Sequence, residues 1–292
     1  MYALCHTEVN MKALLIVLLV AVSPALLGAA PAPNEVVLMA RDVISARDIE
    51  EAIKVATNYG TRPGIVTLDA RDGPFTYDHP DKSINIFYSG GTLRSLNGAT
   101  ITNCDDGVFF DDFPLQDVAV EGITFRCVGG GVQIPWARYE CRSVVIRGNT
   151  FDVEGVGIGI TLGRHVTIFR NSVAGADAIR LHGTTGATVT RNDLRGRQGV
   201  LLDDSGGNRL TGNRIRAEWQ GVLLVGSSGE NEIEGNSIRG VQAAGVAFIG
   251  NGSGNKVHGN RVTCAPGAAC LAVDAPPSAW ETNRISGNRL AK

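Results

Sequence analysis

Apolar residues recur along most of the chain in short bursts of alternation. GVFF begins at residue 107, GVQI at 131, GIGI at 157, AIRL at 178, GVLL at 199 and again at 221, GVAF at 245 and CLAV at 270. Alternation of period two marks a strand with one face buried, so each burst reads as a strand. Val108, Val132, Ile158, Ile179, Val200, Val222 and Val246 are predicted to point inward, together with Phe110, Ile134, Ile160, Leu181, Leu202, Leu224 and Phe248. The bursts return every 21 to 26 residues, which is the spacing of a repeat architecture.

A second register has the same period. Asn149, Asn171, Asn192, Asn213, Asn236, Asn260 and Asn288 each stand three residues after an apolar position and two before another. A unit built from three strands of two to five residues cannot bury its apolar face alone, so copies must stack into a solenoid. Helical repeats are excluded by the period and by glycine and asparagine too frequent for helix interiors. The asparagines are expected at tight bends in left-handed backbone geometry, with their amides bonded from coil to coil. Ahead of the repeats, SARDIEEAIKVATNYG predicts a helix with Ser45 and Asp48 at its start and Ile49, Ala52, Ile53 and Ala56 on one face. GIVTLD then predicts a buried strand.

The GNxΦ asparagine series, the short strands and the leading helix resemble the right-handed parallel β-helix superfamily of pectate lyases and related secreted proteins, over roughly residues 40 to 292. The resemblance implies an all-β fold, a right-handed parallel β-helix solenoid with a short N-terminal capping helix. It also implies that the asparagines bend the chain between the second and third sheets, that GVLLDD and its equivalents form the first sheet, and that a polysaccharide lies along that sheet. YDHPD at 77 to 81 shares residue types, but not their order, with alginate epimerase sites and is not read as a site.

Lys12, the apolar run Ala13 to Val22 and the small residues Gly28 to Ala30 have the layout of a secretory signal. The chain is accordingly divided into a signal peptide at 1–30, a linker and first strand region at 31–44, and the capped β-helix at 45–292. The destination is secreted, periplasmic or cell-surface, with no membrane contact after signal removal. A formal charge of −2 gives no reason to expect a nucleic-acid partner. Of the cysteines, Cys264 and Cys270 could close a short loop, and two of Cys104, Cys127 and Cys141 could bond if neighbouring coils bring them together. The chain is read as a monomer.

Between the inward positions of the first sheet, outward columns follow. One runs Phe109, Gln133, Gly159, Arg180, Leu201, Leu223, Ala247; the next runs Asp111, Pro135, Thr161, His182, Asp203, Val225, Ile249, Asp274. With coils about 4.8 Å apart, Arg180, His182 and Asp203 should form one catalytic patch bordered by Asp204. Such a set has the components for uronate chemistry. In β-elimination, Arg180 neutralises the carboxylate and His182 takes the α proton; in hydrolysis, Asp203 and Asp204 act as acid and base. Gln133, Trp136, Tyr139 and Asp204 are the expected substrate-binding residues, the aromatic rings offering apolar faces to sugar rings. The reading is a lyase or glycoside hydrolase acting on a polysaccharide, an acidic one by preference; the alternative is a non-catalytic glycan-binding or adhesion module.

Arg195, Arg216 and Arg239 fall at matching places on consecutive coils, where an anionic glycan, or the nearby Asp193 and Glu218, would neutralise them. The pairs Asp105-Asp106 and Asp111-Asp112 could take calcium, but the calcium-binding β-roll nonapeptide is absent. No metal or cofactor is expected.

Overall fold

Strands stack in chain order, every one parallel to its neighbour. The computed structural model describes residues 34–77, 83–86, 88–110, 114–134, 139–274, 276 and 281–291. The signal segment, Asp111, Asp112, Pro135, Trp136 and Arg138 lie outside them. An 11-stranded sheet runs from Glu35–Met39 to Arg284–Ser286, each strand pairing with the next one coil on. A second sheet of 16 strands holds both the recurring phrase and the segment after each asparagine. The result is a parallel β-solenoid of about nine coils, with one α-helix among the described residues, close to its N-terminal end.

All fourteen inward positions of the recurring phrase are at most 3% exposed. Burying a Val, Leu or Ile side chain contributes about 1.5–3 kcal/mol, so each coil brings its own share of core and relies on its neighbours to keep it dry. The helix Ala46–Ala56 buries Ile49, Ala52, Ile53 and Ala56, as its periodicity predicts, and covers the N-terminal end of that core. Its start is fixed by the Asp48 carboxylate, which accepts from the backbone N–H of Ser45 at 2.9 Å.

Three short strands per coil is too simple a description of the middle of the solenoid. Ser172–His182, Asp193–Asp203 and Arg214–Gly226 are continuous strands of 11, 11 and 13 residues that bend from the third face into the first. Glycine makes the bend compact: a Cβ on Gly199 would meet the carbonyl oxygen of Gly221 at 2.3 Å, and one on Gly221 the carbonyl oxygen of Gly245 at 2.5 Å. This is why the phrase so often opens with glycine. Gly221→Ala is expected to cost about 1–3 kcal/mol by overpacking against backbone that cannot step aside; the midpoint of urea unfolding measures it.

The asparagine series is a ladder of buried amides. Asn192 receives two hydrogen bonds on Oδ1, from the backbone N–H and the side-chain amide of Asn171, at 2.9 and 3.1 Å. It donates in turn to Asn213 Oδ1 and to the Ile168 carbonyl. The expectation of left-handed geometry at the asparagines needs correction. The positive-φ residue is the one before, namely Gly148, Arg170, Arg191, Gly212, Gly235, Gly259 and Gly287. That residue makes the sharp turn and leaves each asparagine side chain directed into the stack.

Cys104–Cys127 and Cys264–Cys270 are disulfides, and Cys141 is a buried free thiol. Burial pushes the Cys141 thiol up to about 11, so almost none is thiolate near neutral pH. Peptide mapping after iodoacetamide treatment should therefore find Cys141 unmodified in the folded protein and fully modified in denaturant.

Candidate functional site

The register of the first sheet brings the expected outward columns together. Gly159 pairs with Arg180 and Arg180 with Leu201; Thr161 pairs with His182 and His182 with Asp203. Arg180 and His182 are two residues apart on one strand and so project from the same side. His182 Nδ1 lies 2.9 Å from Asp203 Oδ2, with both side chains a little over one-third exposed. An ionised carboxylate only accepts, so Nδ1 is the donor and a neutral imidazole carries its lone pair on Nε2.

A ladder of hydroxyls holds this pair in place. Just beyond it the chain turns through left-handed residues, Gly183 after His182 and Asp204 after Asp203. The next buried side chains are Thr184, Ser205 and Ser228. Ser205 Oγ donates to the carbonyl oxygens of Leu181 and Asp203 and accepts from the Thr184 N–H. Ser228 Oγ repeats the arrangement on the next coil, accepting from Ser205 N–H and donating to the Leu202 carbonyl. The backbone carrying His182 and Asp203 is thus bonded on two sides, a rigid support of the kind a positioned base requires.

Arg180 turns away from Asp203. Its guanidinium pairs with Asp177, three residues earlier, whose side chain is 3% exposed while that of Arg180 is 49% exposed. The other oxygen of Asp177 is buried without a hydrogen-bond partner in the structure. Asp177 was not among the expected site residues. Its signal in the sequence is weak, an acid directly before the AIRL phrase, which pattern reading assigns to the surface.

The remaining expected residues have different surroundings. Gln133 lies over Gly159 and donates to the Val156 carbonyl at 2.6 Å. Asp204 is exposed, and its Oδ1 accepts from the backbone N–H of Ser227 at 2.8 Å, bracing the turn. Tyr139 is half exposed, just before the short strand Cys141–Arg142. Trp136 lies outside the described residues. Past Asp203 the outward face becomes apolar: Leu223 and Ala247 are buried there and pack with Leu201, Val225 and Ala272.

Two other acidic groupings are accounted for by local bonding. Asp106 Oδ1 accepts from the Gly130 N–H. On the 11-stranded sheet, Glu232, Glu234 and His258 lie together, with Arg209 paired to both glutamates.

The family described as "Right handed beta helix region" matches residues 137–290, more than half of the chain. The chain belongs to that right-handed β-helix family. No curated protein matches it in sequence. Among solved structures it is similar to a cysteine-to-alanine mutant of DFA-IIIase from Arthrobacter chlorophenolicus A6, at 11% identity over 88% of this chain and 96% of that one, with a TM-score of 0.52. It is also similar to the GH136 lacto-N-biosidase from Eubacterium ramulus, at 11% identity over 77% of this chain and 49% of that one, with a TM-score of 0.51. The periplasmic alginate epimerase AlgG matches at 16% identity over 86% of this chain and 72% of that one, with a TM-score of 0.47. At these identities the likeness is one of fold, and the right-handed β-helix hosts many chemistries.

Proposed function

We propose that the protein is an exported carbohydrate-active β-helix that binds an acidic polysaccharide along its first sheet and cleaves it by β-elimination. The observation that carries this reading is the 2.9 Å contact of His182 Nδ1 with Asp203, which sets Nε2 as the basic nitrogen on the face that Arg180 shares. In the reaction His182 Nε2 takes the proton α to the uronate carboxylate, and the electron pair forms the double bond as the β carbon–oxygen bond to the leaving sugar breaks. The leaving oxygen is protonated from water. Arg180, tethered by the buried Asp177, faces the substrate carboxylate and stabilises the charge that builds on it. Asp203 keeps the imidazole oriented and stabilises its protonated form.

Elimination is favoured over hydrolysis because both carboxylates a hydrolase would use are occupied, Asp203 by His182 and Asp204 by the Ser227 N–H. A saccharide substrate agrees with the names of the fold neighbours, a DFA-IIIase and a lacto-N-biosidase, although the proposal rests on this chain's own residues. Export is supported by the N-terminal signal pattern and by the two disulfides, which persist in oxidising compartments. Among the described residues no helix is long and apolar enough to cross a membrane.

The test is incubation of the purified protein with polygalacturonate, alginate and neutral polysaccharides, reading unsaturated-product absorbance and new reducing ends together. Both signals should rise with a uronate polymer, and neither with a neutral one. Reducing ends without absorbance would replace elimination by hydrolysis. Binding without either signal would make the protein a glycan-binding module.

A further inference from the structure

The third face, behind the corner from the His182 groove, concentrates positive charge. Asp193 pairs in register with Arg214, Arg214 with Ser237, Ser237 with Arg261 and Arg261 with Arg289. In the adjacent column Arg195 pairs with Arg216 and Arg216 with Arg239. Both columns point outward, since the residues between them, Leu194, Ile215, Ile238 and Val262, are buried. Five consecutive coils therefore present six arginines on one flat surface. Asp193 is the single acid in those five coils of the two columns, 3.7 Å from Arg195 and 3.9 Å from Arg216. Among the described residues, Arg214, Arg239, Arg261 and Arg289 have no acidic partner within ion-pairing distance, and Glu218 pairs with none of the six. The whole chain carries a formal charge of −2, so this face departs in sign from the molecule.

Like charges opposite one another across a strand pair destabilise a sheet, and here they recur at the coil spacing of about 4.8 Å. A surface that holds such repulsion has a counter-charge to meet. We propose that this arginine face binds a linear polyanionic polysaccharide laid along the solenoid axis, its carboxylates paired with successive guanidinium groups. The planar fork of arginine matches a carboxylate through two parallel hydrogen bonds, a fit that lysine lacks. A polymer with an acid on every sugar meets an arginine on every coil. Nucleic acid fits less well, because neither column carries an aromatic side chain for base stacking and the molecule's net charge repels phosphate at long range. The proposal extends the acidic-polysaccharide reading of the groove to a second surface, through residues that take no part in the groove.

Two variants separate the surfaces: Arg214→Gln/Arg216→Gln/Arg239→Gln, and His182→Ala. Binding to polygalacturonate and to alginate is measured by biolayer interferometry at several salt concentrations, with dextran and a DNA duplex as comparison ligands. The wild-type protein should bind the uronate polymers, more weakly as salt rises, and dextran far less. The triple variant should lose at least tenfold in uronate affinity and much of the salt dependence, while His182→Ala retains the affinity and loses only turnover. With like-charge repulsion relieved, the triple variant should melt no lower than wild type, whereas a purely structural role for these arginines predicts a lower melting point. Uronate affinity unchanged in the triple variant, or wild-type binding to DNA as tight as to uronate, overturns the proposal. Should the triple variant fail to fold, Arg261→Gln/Arg289→Gln tests the same face, with a several-fold loss expected and an unchanged affinity contradicting it. Failure of the groove reading would show differently, as full turnover by His182→Ala.

Discussion

Asn213→Ala should remove about 3–5 kcal/mol of stability, the largest effect of any single substitution considered. The side-chain amide of Asn213 donates to the Val189 carbonyl at 2.8 Å and to Asn236 Oδ1 at 3.0 Å. Its Oδ1 accepts from the backbone N–H of Asn192 at 3.0 Å and from the Asn192 amide at 2.9 Å. Four hydrogen bonds in a fully buried stack vanish, each contributing about 1 kcal/mol net. The Asn192 N–H, 2% exposed as a residue, is left without that acceptor. A domain is stable by about 5–15 kcal/mol, so the loss is a large fraction of the total. Because coils stabilise one another through their neighbours, the damage should appear as early unfolding of the adjacent coils, visible as increased amide exchange around residues 189–215 before global melting. Asn251→Ala, at an exposed turn residue, is the control and should shift stability by less than about 0.5 kcal/mol.

The second large effect is on rate. His182→Ala should lower turnover of a uronate polymer by about 10²–10⁴, the usual contribution of a positioned general base. Its side chain is more than one-third exposed and its backbone is held by Thr184 and Ser205, so the fold should persist with an unchanged melting point. Asp203→Asn separates orientation from charge. The asparagine oxygen can still accept from Nδ1, keeping the ring in place, while the stabilisation of the protonated imidazole is lost. An intermediate fall in kcat with KM little changed is expected, read from initial rates across substrate concentrations. Equal losses in the two variants would instead indicate that Asp203 acts on substrate directly.

Much of the architecture was legible in the sequence because a solenoid writes its contacts at a fixed interval. Val200 and Val222 are one coil apart and pair in register, as does His182 with Asp203, so counting the period placed these contacts without coordinates. What escaped were features that occupy only part of the repeat. A second asparagine ladder runs through Asn208, Asn231, Asn255 and Asn283, with Asn208 Oδ1 accepting from the Ala187 N–H and its amide donating to Asn231. It stands five residues before the first ladder but begins late. Earlier coils have Ala187, Val166 and Val144 at that position, so no full-length column announced it. The apolar residues there fill the corner with side chain, where the later coils fill it with hydrogen-bonded amide.

Asp177 escaped for a different reason. A buried carboxylate is tolerated only with a partner, and the sequence pattern assigns that partner, Arg180, to the substrate carboxylate alone. Burial of an acid depends on a contact three residues on that also turns a corner, which alternation cannot show. The disulfides sit between these cases. Cys104 and Cys127 come together on adjacent coils through a local shift of register, while Cys141 falls on a different turn and stays a thiol.

The central claim is that a uronate sits against His182 on the first sheet, and imidazole nitrogen resonances report it directly. In the ¹⁵N spectrum of the free protein, His182 should show a protonated Nδ1, as the bond to Asp203 requires. During titration with a short uronate oligosaccharide its signals should move to saturation while those of His165 and His258 remain in place. His182 signals that stay fixed while the oligosaccharide is bound would contradict the account.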